Sequence, residues 1–318
     1  MQSLDHNVLK AAADWLDAGH HPWLCTIVKT VGSSPRPVGS MLCVLATGEQ
    51  VGTVSGGCVE EELLEKLRAG ELAADGPERL EYGVSAAENE RLGLPCGGRL
   101  ELLLQRLDSS DREWIQLALA AIADRQCIER QLDLASGKSQ MRPVPRFGVL
   151  ALGDNTLRQC FGPSMRLLLV GAGQLAQSLA ELAQAMDYEV LVTDPRQDTL
   201  DQWEGPSVEL IQGMPDDVVR QRARDPHSVI ITLTHDPRID DMALMEALTT
   251  PAWYVGALGS VRTTEKRLQR LRQLGLSETE LARLHAPVGL PIGSKTPLEI
   301  AVAIMAELTQ LRRQPTAP

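Results

Sequence analysis

The sequence predicts an α/β protein with two domains, and two observations lead to that prediction. From about residue 166 onward, apolar strand-like runs alternate with helical runs, which indicates a parallel sheet with helices on both faces. The first of these strands leads directly into Gly171-Ala-Gly173, a glycine loop that opens a helix. We therefore expect an N-terminal α+β domain at 1–160 and a C-terminal Rossmann-like domain, with a mostly parallel doubly wound sheet, at 161–318.

The first domain shows mixed patterning. Apolar residues recur at helical spacing over 4–16, and Gly19 ends that run. Strand-like runs, a hairpin turn and further helical runs follow before the chain reaches a stretch rich in Gly, Asn, Pro and Ser. We expect that stretch, at 153–165, to be a linker. The predicted strands are 23–31, 40–45, 50–54 and 100–104, the helices are 59–69 and 108–125, and the hairpin turn is 136–138.

The second domain has regular alternation. Its predicted strands are 166–170, 189–193, 208–211, 228–232 and 252–257. The segment 285–293 contains too much glycine and proline for regular structure, and we expect it to lie over the cleft. Thr296-Pro-Leu-Glu299 predicts a capping box that begins the last helix.

Composition limits the classes of partner. A net charge of -11 and 3% aromatic residues argue against a nucleic acid partner. No apolar run reaches the length of a membrane span, and the N-terminus lacks the pattern of a signal peptide. The six cysteines are scattered without Cys-x-x-Cys spacing, so we expect free thiols in a cytoplasmic protein without a membrane partner.

Two glycine–cysteine loops are the main candidate site of the first domain. They contain Gly56-Gly57-Cys58 and Cys96-Gly97-Gly98. A Gly-Gly pair lets successive backbone N–H groups turn toward one anion. Cys58 precedes a helical run, where the positive end of the helix dipole favours a thiolate. The alternative is a plain turn followed by a small buried cysteine.

The Gly171 loop is the candidate site of the second domain. Gly171 permits the tight turn, and Gly173 lets the backbone approach a pyrophosphate at the helix N-terminus. Asp194, at the end of the next strand, is placed to bind a ribose diol, and it favours a free 2′-hydroxyl over a 2′-phosphate, although the nearby Arg196 weakens that preference. The alternative is a fold of this type that binds no nucleotide.

Later strand ends supply further candidates. His235 could move a proton or donate a hydrogen bond, unless it is merely the neighbour of an N-cap at Asp236. Ser260 begins a basic run at 262–272, which we expect to be a solvated helix face, with a first turn that could hold phosphate. No serine–histidine–acid arrangement, zinc spacing or Gly-x-x-x-x-Gly-Lys loop is present, so nothing nominates a hydrolase, metalloenzyme or ATPase.

Taken in order, these motifs resemble the xanthine dehydrogenase accessory family (XdhC/CoxI-type). That resemblance implies a protein that binds the molybdenum cofactor (molybdopterin) while its sulfido ligand is installed, with a cysteine desulfurase as the sulfur source. It then delivers the cofactor to a xanthine-dehydrogenase-type apoenzyme. Many relatives carry His where this chain has Gln174, and Gln cannot shuttle a proton. The motifs are 32–41, 55–60, 96–98, 171–173, 194–196, 234–236, 256–260 and 285–293.

Residue chemistry suits the implied role. The glycine pairs would hold anionic groups of the cofactor, and Arg36, in a proline-flanked loop, could pair with its phosphate. Cys58 or Cys96 could approach molybdenum or carry a persulfide sulfur. We expect these loops to line one cleft facing the second domain.

Three interpretations remain open. The leading one is a cofactor-binding and transfer protein without turnover of its own, which we expect to be a homodimer by analogy. The alternative is an NAD- or FAD-dependent oxidoreductase that uses the Gly171 loop, with His235 as acid/base. The third is a sulfur relay that receives persulfide and never holds the cofactor.

Overall fold

The structure is a computed structural model that describes residues 4–32, 34, 36–72, 76–84 and 99–313. The chain divides into two compact units, Gln2–Pro163 and Ser164–Pro318. Within the described residues, no helix combines the length and the apolar character needed to cross a bilayer.

The first unit is built from antiparallel sheets and helices. Its helices are α1 (Leu4–Asp17), α2 (Cys58–Arg68) and α3 (Arg112–Ala123). Its strands are β1 (Trp23–Val31), β2 (Met41–Val44), β3 (Gln50–Gly52), β4 (Glu78–Tyr82), β5 (Arg99–Arg106), β6 (Cys127–Asp133), β7 (Ser139–Val144), β8 (Ala151–Leu152) and β9 (Thr156–Phe161).

Helices cover both faces of the larger sheet of this unit, whose order is β3-β2-β1-β5-β4. Successive side chains of a strand point to opposite faces, so neighbours on β1 belong to different cores. Cys25 packs against α2, whereas Leu24 packs against α1 and α3. The N-terminal α+β prediction is therefore confirmed.

The expected linker at 153–165 is wrong over most of its length. Strand β9 lies there and pairs antiparallel with β6 and β8, in a smaller sheet ordered β7-β6-β9-β8. The glycine and asparagine at 153–155 form the turn of a β8–β9 hairpin instead of a linker. Leu157 and Phe161 are both buried, which is why this segment is held in the domain.

The second unit alternates strands and helices. Its strands are β10 (Arg166–Val170), β11 (Glu189–Asp194), β12 (Glu209–Gln212), β13 (Ser228–Thr232), β14 (Tyr254–Ala257) and β15 (Leu284–His285). Its helices are α4 (Gln174–Ala185), α5 (Gln197–Asp201), α6 (Pro215–Arg222), α7 (Pro237–Ala247), α8 (Val261–Gln273), α9 (Glu278–Leu281) and α10 (Pro297–Arg313).

These strands form one parallel sheet in the order β12-β11-β10-β13-β14-β15. Helices α4 and α10 pack on one face, and α6, α7 and α8 pack on the other. The prediction of a doubly wound parallel sheet is confirmed. Strand order reverses between β10 and β13, and ligands of such sheets bind beyond the carboxyl ends of the strands at that point.

Candidate functional site

A cavity of about 830 Å³ lies at this switch point of the second unit. Volumes in this range accept small-molecule ligands. Its walls come from the loops after β10, β11, β13 and β14 and from the start of α10. The cavity thus collects residues from five separate segments. They include Gly171, Gly173, Arg196, His235, Arg238, Leu258, Lys295 and Ile300.

The glycine loop leaves room for a ligand at the start of α4. Gly171 has a φ of +107°, and a Cβ there would lie 2.8 Å from a methyl carbon of Thr234. Gly173 has open space where its Cβ would be, and it occupies the N-cap position without a side-chain cap. The first-turn N–H groups of a helix lack intrahelical acceptors. Those of α4 therefore lie at the cavity as hydrogen-bond donors.

Asp194 does not lie open to a ribose, contrary to the expectation from sequence. Its side chain has 0% exposure, and Arg196 donates to it from Nε and Nη2, each at 2.9 Å. The backbone N–H groups of Arg196 and Ala172 also donate to it. Burial alone would raise the pKa of Asp194, but these bonds lower it. A carboxylate offers about four lone-pair positions, and four donors fill them.

Other strand-end candidates have distinct places. His235 is exposed and lines both the main cavity and an adjoining one of about 420 Å³. Ser260 is the N-cap of α8, and its hydroxyl accepts the N–H of Thr263. The basic run is not simply a solvated face, because Arg267 is buried and pairs with Asp240 at 2.8 Å.

The glycine pair of the first unit already holds an anion, the carboxylate of Glu60. Glu60 is 4% exposed and accepts N–H groups from the loop at 54–57 as well as the hydroxyls of Thr53 and Ser55. Burial acts to raise its pKa, but the hydroxyl and backbone hydrogen bonds prevail and lower it to about 2. The N–H groups of Gly56 and Gly57 are thus used internally, so the expected nest for a ligand anion is wrong in this structure.

Cys58 and Arg36 lie in separate parts of the first unit. Cys58 is the first residue of α2, as its spacing predicts. Arg36 is exposed on the connection between β1 and β2. Cys96, Gly97 and Gly98 lie outside the described residues. Among the residues that are described, no cluster of three or more His, Cys, Asp or Glu could hold a metal ion.

Sequence reasoning missed two cationic residues of the main cavity, Arg238 and Lys295. A repeated tripeptide could have revealed the first, because Asp-Pro-Arg occurs at 194–196 and again at 236–238. In both copies the aspartate accepts a bidentate pair from the arginine two residues later. No sequence motif marks Lys295. It lines the cavity because the chain passes the cavity just before α10 begins.

Taken together, the fold and its cavity define a two-domain protein whose Rossmann-type half has a cavity lined by three cationic side chains, Arg196, Arg238 and Lys295, and by the carboxylate of Asp236. Residues 167–308 match the profile described as XdhC Rossmann domain, and residues 15–83 match that of the XdhC and CoxI family. The chain belongs to this family, which confirms the resemblance drawn from its motifs.

Similar proteins span nearly the whole chain. The molybdenum cofactor insertion chaperone PaoD of Escherichia coli (strain K12) is 29% identical, over 97% of this chain and 89% of its own length. A probable xanthine dehydrogenase subunit from Bacillus subtilis (strain 168) is 25% identical, over 92% of this chain and 93% of its own length. A crystal structure of a xanthine dehydrogenase from Bacillus halodurans matches with a TM-score of 0.76 and 26% identity, covering 99% of this chain and 98% of that one.

Proposed function

We propose that this protein is a molybdenum cofactor chaperone. It holds the cofactor as cargo in the cavity of the second unit and passes it to a molybdoenzyme of the xanthine dehydrogenase type. The observation that carries the proposal is the cavity of about 830 Å³ with the cationic side chains Arg196, Arg238 and Lys295 on its walls. The full-length similarity to PaoD supports it.

The chemistry of the cavity suits this cargo. The cofactor is a pterin with a phosphate and a dithiolene-bound molybdenum, so it combines a flat ring with concentrated negative charge. Leu175, Leu258 and Ile300 offer apolar surface to the ring. Cationic side chains and the uncapped start of α4 favour the phosphate. Because Gly173 lacks a Cβ, the backbone can approach the ligand closely.

Sulfuration is the finer part of the proposal, and it falls to the first unit. Cys25, Cys43, Cys127 and Cys160 are buried, and burial raises the pKa of the Cys25, Cys43 and Cys160 thiols. Cys58 instead begins a helix, where the dipole favours thiolate. We propose that Cys58, with Cys96, accepts the outer sulfur of a cysteine desulfurase persulfide and releases the desulfurase thiolate. A cytoplasmic homodimer remains part of this proposal by analogy.

Retention of isolated cofactor by the full-length protein tests the proposal. The protein is incubated with molybdenum cofactor and desalted, and bound molybdenum and pterin are measured. We expect stoichiometric retention by the wild type and several-fold less by Lys295→Ala, which removes a cavity charge. Lys138→Ala, at an exposed hairpin of the first unit, is the matched control and should retain as much as wild type.

The cysteine variants separate the two parts of the proposal. Cys58→Ala and Cys96→Ala should still retain the cofactor in the second unit but lose the sulfur transferred from a desulfurase. Absence of retention by the wild type would refute the chaperone role. Retention of NAD or FAD in place of the cofactor would instead favour the oxidoreductase interpretation.

A further inference from the structure

The two Asp-Pro-Arg tripeptides at the cavity differ in how firmly they hold their arginines. Asp236 is 29% exposed and Arg238 is 88% exposed, so their pair lies in water and orients the guanidinium weakly. Asp194 is completely buried, whereas the side chain of Arg196 is 56% exposed. One end of this second pair is therefore fixed in the protein and the other faces the solvent side of the cavity.

The buried carboxylate fixes the arginine along one edge. Arg196 donates to Asp194 through Nε, Nη2 and its own backbone N–H. A fourth donor, the N–H of Ala172, ties the same carboxylate to the glycine loop. The loop before α4 and the guanidinium of Arg196 are thus held by one anchor.

Donors remain on the other edge of the guanidinium. Arginine has five N–H donors, and the side-chain contacts to Asp194 use one from Nε and one from Nη2. The others are available to a ligand in the cavity that Arg196 lines. A planar fork with free N–H groups matches the oxygens of a phosphate.

We propose that Arg196 binds a phosphate group of the ligand in this cavity, and that Asp194 is a positioning residue that orients Arg196 without touching the ligand. The site then selects a phosphorylated ligand over one that offers only a ribose diol. The identity of the ligand as the phosphate-bearing pterin rests on the proposed function. The phosphate chemistry of the subsite does not, because a nucleotide 2′-phosphate would satisfy the same donors.

The first test compares two arginine variants of the full-length protein. Arg196→Gln should weaken retention of molybdopterin roughly 10- to 100-fold, the range for loss of a charge-assisted bidentate pair. Arg196→Lys keeps the charge without the fork and should lose most of the same affinity. Arg272→Gln is the matched control, since Arg272 is 51% exposed and makes a bidentate pair with Glu278. It does not line the cavity and should bind as wild type.

The second test asks whether Asp194 acts through Arg196. Bound molybdopterin is displaced with 6-hydroxymethylpterin phosphate and, separately, with unphosphorylated 6-hydroxymethylpterin. The ratio of the two affinities measures the preference for phosphate. Asp194→Asn should reduce that preference while leaving the unphosphorylated pterin bound as tightly as before. An equal loss for both probes would mark Asp194 as merely structural and overturn its positioning role. If Asp194→Asn does not fold, the Arg196→Lys result decides whether the fork is needed.

The outcomes separate this inference from the proposed function. Molybdopterin bound equally by wild type and Arg196→Gln overturns the phosphate subsite and leaves the chaperone role standing. Failure of wild type to retain molybdopterin refutes the chaperone role. In that case, Arg196-dependent binding of NADP⁺ but not NAD⁺ still supports the subsite and assigns the phosphate to a nucleotide. NAD⁺ bound as tightly as NADP⁺ overturns it.

Discussion

Replacement of Glu60 by glutamine tests the internal anion of the first unit most directly. The carboxylate of Glu60 accepts hydrogen bonds from Thr53, Ser55 and the backbone N–H groups of the loop that precedes α2. An amide of the same shape keeps one oxygen but presents an NH₂ group where the loop needs a second acceptor. Glu60→Gln therefore removes the charge and leaves several buried N–H and O–H donors poorly paired.

The pKa of Glu60 sets the size of the effect. In the folded protein this pKa is lowered from 4.5 to about 2 by the hydroxyl and backbone bonds, against the opposing effect of burial. Each pKa unit corresponds to about 1.4 kcal/mol, so the ionised carboxylate contributes about 3 kcal/mol to folding. Because the pKa is lower in the folded state, this contribution is complete above pH 4.5 and disappears as the pH falls toward 2.

Urea unfolding with hydrogen exchange over residues 53–68 measures the effect within the intact chain. We expect Glu60→Gln to lower the free energy of unfolding by about 3 kcal/mol at pH 7 and to have nearly wild-type stability near pH 2. Glu61→Gln is the matched control, because Glu61 is the exposed neighbour in the same helical turn. A loss at pH 7 no larger than that of Glu61→Gln, or a wild-type stability that stays flat between pH 5 and 3, would refute the argument.

Two further predictions concern the second unit. Gly171→Ala should lower the free energy of unfolding by about 2 kcal/mol, since its φ is +107° and a Cβ would lie 2.8 Å from a methyl carbon of the loop after β13. Gly173→Ala has open space and should retain wild-type stability while its cofactor retention falls, and equal destabilisation of both variants would contradict this. Asp240→Asn should cost about 3–5 kcal/mol in urea unfolding, because it removes the carboxylate that lies 2.8 Å from the buried guanidinium of Arg267, and the next carboxylate, Asp241, is farther away at 3.9 Å. Glu278→Gln, which breaks the exposed pair with Arg272, should lower the free energy of unfolding by less than about 1 kcal/mol. A similar loss in Asp240→Asn and Glu278→Gln would refute the role of burial.

Elements with strong periodicity could be predicted from sequence. Strands β1, β10 and β13 have the predicted bounds, and each contains a run of four or more buried residues that are mostly apolar. Strand β9 was missed because Arg158 and Gln159 interrupt its apolar pattern, although Gln159 is buried in the fold. Strand β4 was missed because charged residues alternate along Glu78–Tyr82, although it pairs with β5 and buries Tyr82 in the core beneath α2.

The candidate site was less predictable than the fold, because its chemistry depends on which charges meet. The spacing of Asp194 from the glycine loop is that of a ribose ligand, yet Arg196 two residues later takes the carboxylate. In the same way, Gly56-Gly57 has the composition of an anion nest, yet Glu60 supplies the anion from within the chain. Ser55-Gly-Gly-Cys-Val-Glu60 contains the signal, since a glutamate at the third helical position is the acceptor of a capping box.

These two internal carboxylates act in opposite ways on the places where a ligand could bind. Glu60 fills the donors of its loop and removes an anion site from the described part of the first unit. Asp194 is likewise fully hydrogen-bonded, but its main partner is Arg196. The guanidinium of Arg196 is half exposed and lines a cavity, so its remaining N–H groups can reach a ligand. A buried carboxylate therefore closes one site and prepares the other. For that reason, our proposal places the phosphorylated cargo in the second unit and the thiol chemistry of Cys58 in the first unit.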